Sequence, residues 1–255
     1  MQNGRDRIHA TLVVIPAFNE QQNLPEVVAG IRKSAPGMRI LIVSDGSPDR
    51  TAQVAEELDA EVLDLPLNLG VGGAVQAGFK YALRAGYRQV IRMDADGQHP
   101  PEAIPTLLDA AETSDADLIL ASRFIAETKG YTGTRFRTLA IYLLALFLST
   151  VCRRRITDPT SGFMLVKRPL LYFFAHTYPA DYPEPEALAM LRRHGYDVAE
   201  VGVAFRERRH GVSSIRGWGT LFHAMQVVLA LLIDRMEPVK PGLSRHEVIR
   251  YNDGL

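Results

Sequence analysis

The fold class this sequence predicts is α/β, with a mostly parallel central sheet flanked by helices, and two observations predict it. Short β-rich apolar runs alternate with helical patterns through the first half, the rhythm of parallel strands joined by helical crossovers. The chain is also 255 residues long and 47% hydrophobic, enough for one large domain, or a core plus an appendage, with a substantial buried interior.

Taken in order, the first strand is predicted at Thr11–Ile15, with a helix near Leu24–Lys33 after it. A second strand at Ile40–Ser44 precedes a helix at Thr51–Leu58, and a third at Glu61–Leu65 precedes a helix at Gly72–Arg84, which Gly86 stops. The fourth strand, Gln89–Met93, leads to a helix at Glu102–Glu112 opened by Pro100-Pro101, and the fifth is Leu118–Ala121.

After Arg123 the rhythm changes. The apolar run Leu139–Val151 exits into Arg153-Arg154-Arg155, and a second, Leu221–Ile233, follows Trp218. Each holds 13 residues, short of the roughly 20 that span a bilayer. Periodicity alone serves a pair of buried core helices as well as a pair lying in a membrane interface; the basic flank and Trp218 favour the interface. The expected layout is a domain over 1–235, divided at 122/123, with interfacial helices near 138–152 and 218–234 and a tail from 236 to 255. Within it, residues 8–122 form one half and 123–235 the other.

Net charge is zero, from 29 basic and 29 acidic side chains, which argues against a nucleic-acid partner. The sum hides a gradient. Residues 1–122 carry 10 basic and 17 acidic side chains, a net of −7, whereas 123–216 carry 15 and 8, a net of +7. One cysteine, Cys152, excludes an internal disulfide and a multi-cysteine zinc site, and with no leader-like start the expectation is a reducing, cytoplasmic compartment.

Chemistry concentrates where the strands end. The first closes on Pro16-Ala17-Phe18-Asn19-Glu20 without a glycine fingerprint, so a dinucleotide-binding turn is excluded. Met93-Asp94-Ala95-Asp96-Gly97-Gln98 is the sharpest motif. At a strand end that turns, Asp94 and Asp96 can converge on one hard cation, Mg²⁺ or Mn²⁺, with Gln98 as an oxygen ligand. A turn in which Asp-Gly supplies positive φ is the alternative. Asn19 and Glu20 equally suit a helix N-terminus, Asp45 a turn carboxylate, and Gly70 a tight turn in place of phosphate-facing amides.

Together Val14–Glu20, Ser44-Asp45-Gly46-Ser47, Asn68-Leu69-Gly70 and Asp94–Pro100 resemble the inverting family 2 glycosyltransferases of GT-A fold. Within these the likeness is to dolichol- and polyprenyl-phosphate sugar synthases, and Tyr182–Leu188 with Arg206–Ser214 resembles a bacterial branch. The resemblance implies that Pro16, Ala17, Asn19, Glu20 and Asp45 hold the nucleoside of a nucleotide-sugar donor. It implies that Asp94, Asp96 and Gln98 carry the diphosphate-bound cation, and that Arg123 and Arg208 bind acceptor phosphate. Relatives usually have two acidic residues before the Gly-Ser; Ser44 stands in the first position here.

A lipid phosphate is already anionic at neutral pH and needs cationic clamps more than a general base. The arginines at 123, 135, 137, 206, 208 and 209 suit that acceptor. Glu184 and Glu186 more simply begin a helix running to His194. The expected activity is therefore transfer of a sugar, with inversion, to a polyprenyl phosphate, by an enzyme peripheral on the cytoplasmic membrane face. A small integral-membrane partner is compatible with that. Two rivals stand beside it: a soluble enzyme extending a saccharide with a carboxylate base, and a non-catalytic nucleotide-binding subunit of a membrane complex.

Overall fold

The computed structural model describes residues 7–125, 135–207 and 243–252. Among these described residues, seven strands form one sheet in the order β3-β2-β1-β4-β6-β5-β7. The strands are β1 (Thr11–Ala17), β2 (Arg39–Asp45), β3 (Glu61–Leu65), β4 (Gln89–Arg92), β5 (Leu118–Ser122), β6 (Met164–Lys167) and β7 (Val198–Gly202). Every pairing is parallel except those of β6, which runs antiparallel to both β4 and β5.

Helices α1 (Leu24–Ser34), α2 (Thr51–Glu56) and α3 (Gly70–Arg84) cross over between the first four strands. A single 3₁₀ turn, Pro101–Ala103, opens α4 (Ile104–Thr113). The second half adds α5 (Arg135–Cys152), α6 (Arg168–His176), α7 (Pro183–Arg193) and α8 (Arg245–Asn252).

The strands read as unbroken apolar runs because both faces of the sheet are covered. Leu12, Val14, Leu41, Val43, Val90 and Leu120 point into a core completed by α3, α5, α6 and α7. Their neighbours Val13, Ile15, Ile40, Ile42, Ile91 and Ile119 point the other way, onto α1 and α4. The alternation of a pleated strand thus divides one sequence between two cores. Fully buried Phe79 on α3 stacks on Phe174 of α6 at 5.7 Å and meets Tyr178 edge-on at 5.2 Å. That cluster ties the two halves together.

The five strands and four helices of the first half appear where expected, each end within about two residues; the expected start of α4, Glu102, falls in the 3₁₀ turn that opens it. Strands β6 and β7 and helix α6 had no counterpart in the sequence reading. Met164–Lys167 is only four residues long, too short to show a period. The late apolar run near 218–234 lies outside the described residues. Part of the expected tail packs on the domain: Arg245 of α8 pairs with buried Asp117, Nε to Oδ2 at 2.9 Å, and Val248 is buried.

Candidate active site

The order of the sheet reverses direction between β1 and β4, and a crevice opens beyond the carboxyl ends of strands at such a point. Here it is a cavity of about 420 Å³ lined by Pro16, Ala17, Phe18, Glu20, Asp45, Asn68, Gly70, Val71, Ala74 and Asp94–Asp96. Seven of the nine donor-side residues singled out in the sequence are therefore brought together here: Pro16, Ala17, Glu20, Asp45, Gly70, Asp94 and Asp96. Asn19 and Gln98 stand outside the lining.

The loops forming the rim are clasped to one another by side-chain to backbone hydrogen bonds. Asn19 takes a left-handed φ of 58°, a conformation asparagine tolerates better than most residues, and its N–H donates to Ser47 Oγ at 3.2 Å. The N–H of Glu20 donates to Thr51 Oγ1 at 2.9 Å, and its carboxylate accepts from Asn23 Nδ2 at 2.5 Å. Asp45 accepts the Leu69 N–H at 2.7 Å, joining the end of β2 to the start of α3. Gly46 between them has φ +61°, and a Cβ there would lie 2.5 Å from Asn68 N. Only glycine fits that close approach. Ser44 is fully buried and does not line the cavity, so its position makes no wall of the site.

Asp94 and Asp96 follow β4 on a turn held from behind. His99 accepts the Asp94 N–H at its Nδ1, 2.9 Å, and stacks on Phe163 with ring centroids 5.0 Å apart. Burial pushes the His99 imidazolium down, more than its acidic neighbours raise it, so the ring serves as a neutral acceptor. Asp96, itself 6% exposed, accepts the Gln98 N–H at 3.0 Å. The Gln98 carbonyl accepts from Arg206 N at 2.8 Å. Gln98 thus supports the turn through its backbone.

Among the described residues no three His, Cys, Asp or Glu side chains gather as a closed metal cage. Two carboxylates beside a roomy crevice instead fit a hard cation that keeps other positions for phosphate oxygens and water, the habit of Mg²⁺ and Mn²⁺ in phosphate sites.

Two arginines, Arg123 and Arg92, tie this turn to the second half. Arg123, after β5, forms a fork with Asp158: Nε to Oδ2 at 2.7 Å and Nη2 to Oδ1 at 2.6 Å, with a further bond from Nη2 to Thr160 Oγ1 at 2.7 Å. Asp158 is fully buried, and Glu200 of β7 accepts its N–H at 3.0 Å. Burial holds the Glu200 carboxyl above the usual range, against the Thr157 and Asp158 hydrogen bonds that lower it. Arg92, at the end of β4, is 1% exposed and bonds Asp94, Glu184 and Tyr178. Burial opposes its charge, but Glu184 and then Asp94 outweigh burial, and its pKa lies above the ordinary arginine value. The sequence reading passed over Arg92. A lone arginine inside a strand covered on both faces was the available clue, since such a charge must be paired.

A second cavity of about 440 Å³ runs along α5, lined by Phe124, Ile141, Tyr142, Leu146, Arg155, Ile156 and Thr157 among others. The residue after Arg123 and the residue before Asp158 both line it. Leu139, Tyr142, Leu143 and Leu146 form an exposed apolar stripe on the same helix. Arg208, expected to bind phosphate, lies outside the described residues, as do Arg209, Ser213 and Ser214.

A nucleotide-sized crevice at the switch point of a GT-A sheet, floored by an Asp-X-Asp turn, defines the class: a glycosyltransferase. Residues 12–173 match the model of Glycosyl transferase family 2, and the chain belongs to that family. It is similar to the polyprenol monophosphomannose synthase of Mycolicibacterium smegmatis, 34% identical over 81% of each chain. It is also similar to the undecaprenyl-phosphate mannosyltransferase of Micrococcus luteus, 31% identical over 81% of this chain and 87% of that one. The dolichol-phosphate mannosyltransferase of Pyrococcus furiosus is 31% identical over 95% of this chain and 70% of its own. Among solved structures, glucosyl-3-phosphoglycerate synthase from Mycobacterium tuberculosis, in complex with Mn²⁺, uridine diphosphate and phosphoglyceric acid, shares the fold with a TM-score of 0.69. It is 22% identical, over 94% of this chain and 84% of that one.

Proposed function

We propose that the enzyme transfers a sugar from a nucleoside-diphosphate donor to a polyprenyl phosphate, with inversion and with Mg²⁺ or Mn²⁺ as cofactor. One observation carries this reading: the Arg123–Asp158 fork stands at the head of an apolar groove, since Phe124 and Thr157 on either side of it line that groove. An acceptor with an anionic head and a hydrocarbon tail has the matching chemistry. The names of three relatives, polyprenol monophosphomannose synthase, undecaprenyl-phosphate mannosyltransferase and dolichol-phosphate mannosyltransferase, point the same way.

In this mechanism Pro16, Ala17, Glu20, Asp45 and Gly70 hold the nucleoside, with Asn19 fixing the loop. Asp94 and Asp96 would hold the cation, which when bound neutralises charge on the departing diphosphate. Arg123 and Arg208 orient the acceptor phosphate, whose oxygen attacks the anomeric carbon from the face opposite the leaving group. No carboxylate is required to remove a proton, because the nucleophile is already ionised. Glu184 is engaged with Arg92 at 2.6 Å, which disfavours it as the base that a saccharide-extending enzyme would draw from Glu184 or Glu186.

The exposed stripe of α5 and the basic run Arg153–Arg155 suit a position at a membrane surface, on the cytoplasmic face by the expectation from composition. No helix among the described residues is long and apolar enough to cross a membrane. A small integral-membrane partner and a role in cell-envelope glycan or glycoprotein assembly are consistent with such a placement. The test is nucleoside diphosphate release from a panel of UDP- and GDP-sugars with Mn²⁺. Release that rises on adding a short-chain polyprenyl phosphate supports the reading; release stimulated only by a saccharide contradicts it.

A further inference from the structure

A charged residue in the last position of a strand buried on both faces needs a reason. Arg92 is among the largest fully buried side chains of the protein, and its surroundings are built rather than incidental. Nη2 lies 2.6 Å from Glu184 Oε1 and 3.2 Å from Asp94 Oδ1. Nη1 donates to the Tyr178 hydroxyl at 3.2 Å. Gly162 closes the remaining side: a Cβ there would lie 2.8 Å from Asp94 Oδ2 and 3.0 Å from Arg92 Nη2. Three segments of the second half, the loop before β6, the segment after α6 and the first turn of α7, therefore converge on Arg92, which in turn bonds one carboxylate of the Asp-X-Asp turn.

The charges decide what this arrangement does. Arg92 alone would compete with a divalent cation for Asp94, since a guanidinium at hydrogen-bond distance cancels much of a carboxylate's charge. Glu184 sits closer to Nη2 than Asp94 does and balances the guanidinium. With Glu184 balancing the guanidinium, the cluster of Arg92, Glu184, Asp94 and Asp96 keeps a net formal charge of −2, the charge a divalent ion requires. Arg92 meanwhile fixes one oxygen of Asp94, and so the direction in which its carboxylate faces the crevice.

We propose that Arg92 and Glu184 are positioning residues of the donor site: a buried ion pair that aims Asp94 at the cation and sets the charge left for it, locking α7 to the metal turn. This rests on the metal-dependent reading of the Asp-X-Asp turn. Neither residue lines the donor crevice, so the effect of the pair passes through Asp94.

The test measures Mn²⁺ affinity in the presence of uridine diphosphate, by electron paramagnetic resonance of free Mn²⁺, on the full chain, alongside kcat and thermal unfolding. Glu184→Gln leaves Arg92 unbalanced, and Mn²⁺ binding is expected to weaken about tenfold. In the double variant Arg92→Met/Glu184→Gln both charges are gone, which buried pairs tolerate. Mn²⁺ affinity is then expected to return to within about threefold of the parent, while kcat stays about tenfold low because Asp94 is no longer aimed.

A purely structural role would lower the unfolding temperature and leave Mn²⁺ affinity unmoved, and that result in Glu184→Gln would overturn the proposal. If Glu184→Gln does not fold, the double variant decides: unchanged kcat overturns the proposal and the combination of near-parent affinity with low kcat supports it. Failure of the parent reading looks different, because the unmodified protein itself would then bind no Mn²⁺ with uridine diphosphate, and both ideas would fall together.

Discussion

Arg123 and Asp158 meet edge to edge, with two guanidinium nitrogens on two carboxylate oxygens at 2.7 and 2.6 Å and the Arg123 N–H on the same carboxylate at 3.0 Å. The pair fixes the loop from Asp158 to Gly162, whose far end rests against Asp94. One short loop thus connects the arginine at the apolar groove with the acidic turn of the donor crevice.

Breaking that fork by Asp158→Asn leaves a guanidinium that is 12% exposed without its counter-charge. The expected loss is about 3 kcal/mol or more of folding stability, read by urea denaturation. Replacing both residues together, as Arg123→Met/Asp158→Leu, should recover much of that stability while transfer activity stays lost. Recovery of activity in the double variant would remove Arg123 from acceptor binding.

Asp96→Asn keeps the acceptor oxygen for the Gln98 N–H and removes one negative charge from the cation site. Transfer should fall by about a hundredfold or more, with the unfolding temperature within a few degrees of the parent. Full activity in this variant would sink the assignment of the metal site.

Glu200 makes a pH-dependent contribution to stability in the acceptor half. Its carboxyl is raised in the folded state, chiefly by burial, so the native protein holds a proton the unfolded chain releases near pH 4.3 or so. The sign follows: this contribution is present below the unfolded pKa and is lost as pH rises through the folded one. The stability of the parent relative to Glu200→Gln should therefore fall as pH rises above the ordinary carboxylate range, read as the difference in unfolding temperature. A difference independent of pH would contradict it.

Gly46→Ala forces a Cβ to 2.5 Å from Asn68 N and 2.6 Å from the Leu67 carbonyl carbon at a positive φ. Because those contacts are backbone, no side chain can yield, and a loss above about 2 kcal/mol is expected. Nucleotide affinity should fall with it, since Asn68 and Gly70 line the crevice; calorimetry with uridine diphosphate reads that effect.

Much of the first half was legible because strands covered on both faces must be apolar throughout, and because the loops that follow them cannot avoid polar residues. Thr11–Ala17 shows both, ending in Asn19 and Glu20. What stayed hidden depended on partners distant in sequence. Arg92 has meaning only beside Glu184 and Tyr178, more than 80 residues on, and β6 is too short to declare itself before β4 and β5 accept it on either side. Glu184 was legible as a helix start, and its helical position is what delivers it to Arg92. Gln98 was legible as a candidate ligand by residue type, while the part its backbone plays in holding the turn was not.

The most direct test of lipid-phosphate transfer is the mass of the product formed with Mn²⁺, a nucleotide sugar and an equal mixture of a polyprenyl phosphate and the corresponding phosphate-free polyprenol. One sugar is expected on the phosphate alone, and no product once a chelator removes the metal. Sugar on the free polyprenol, or chelator-resistant product, would contradict it.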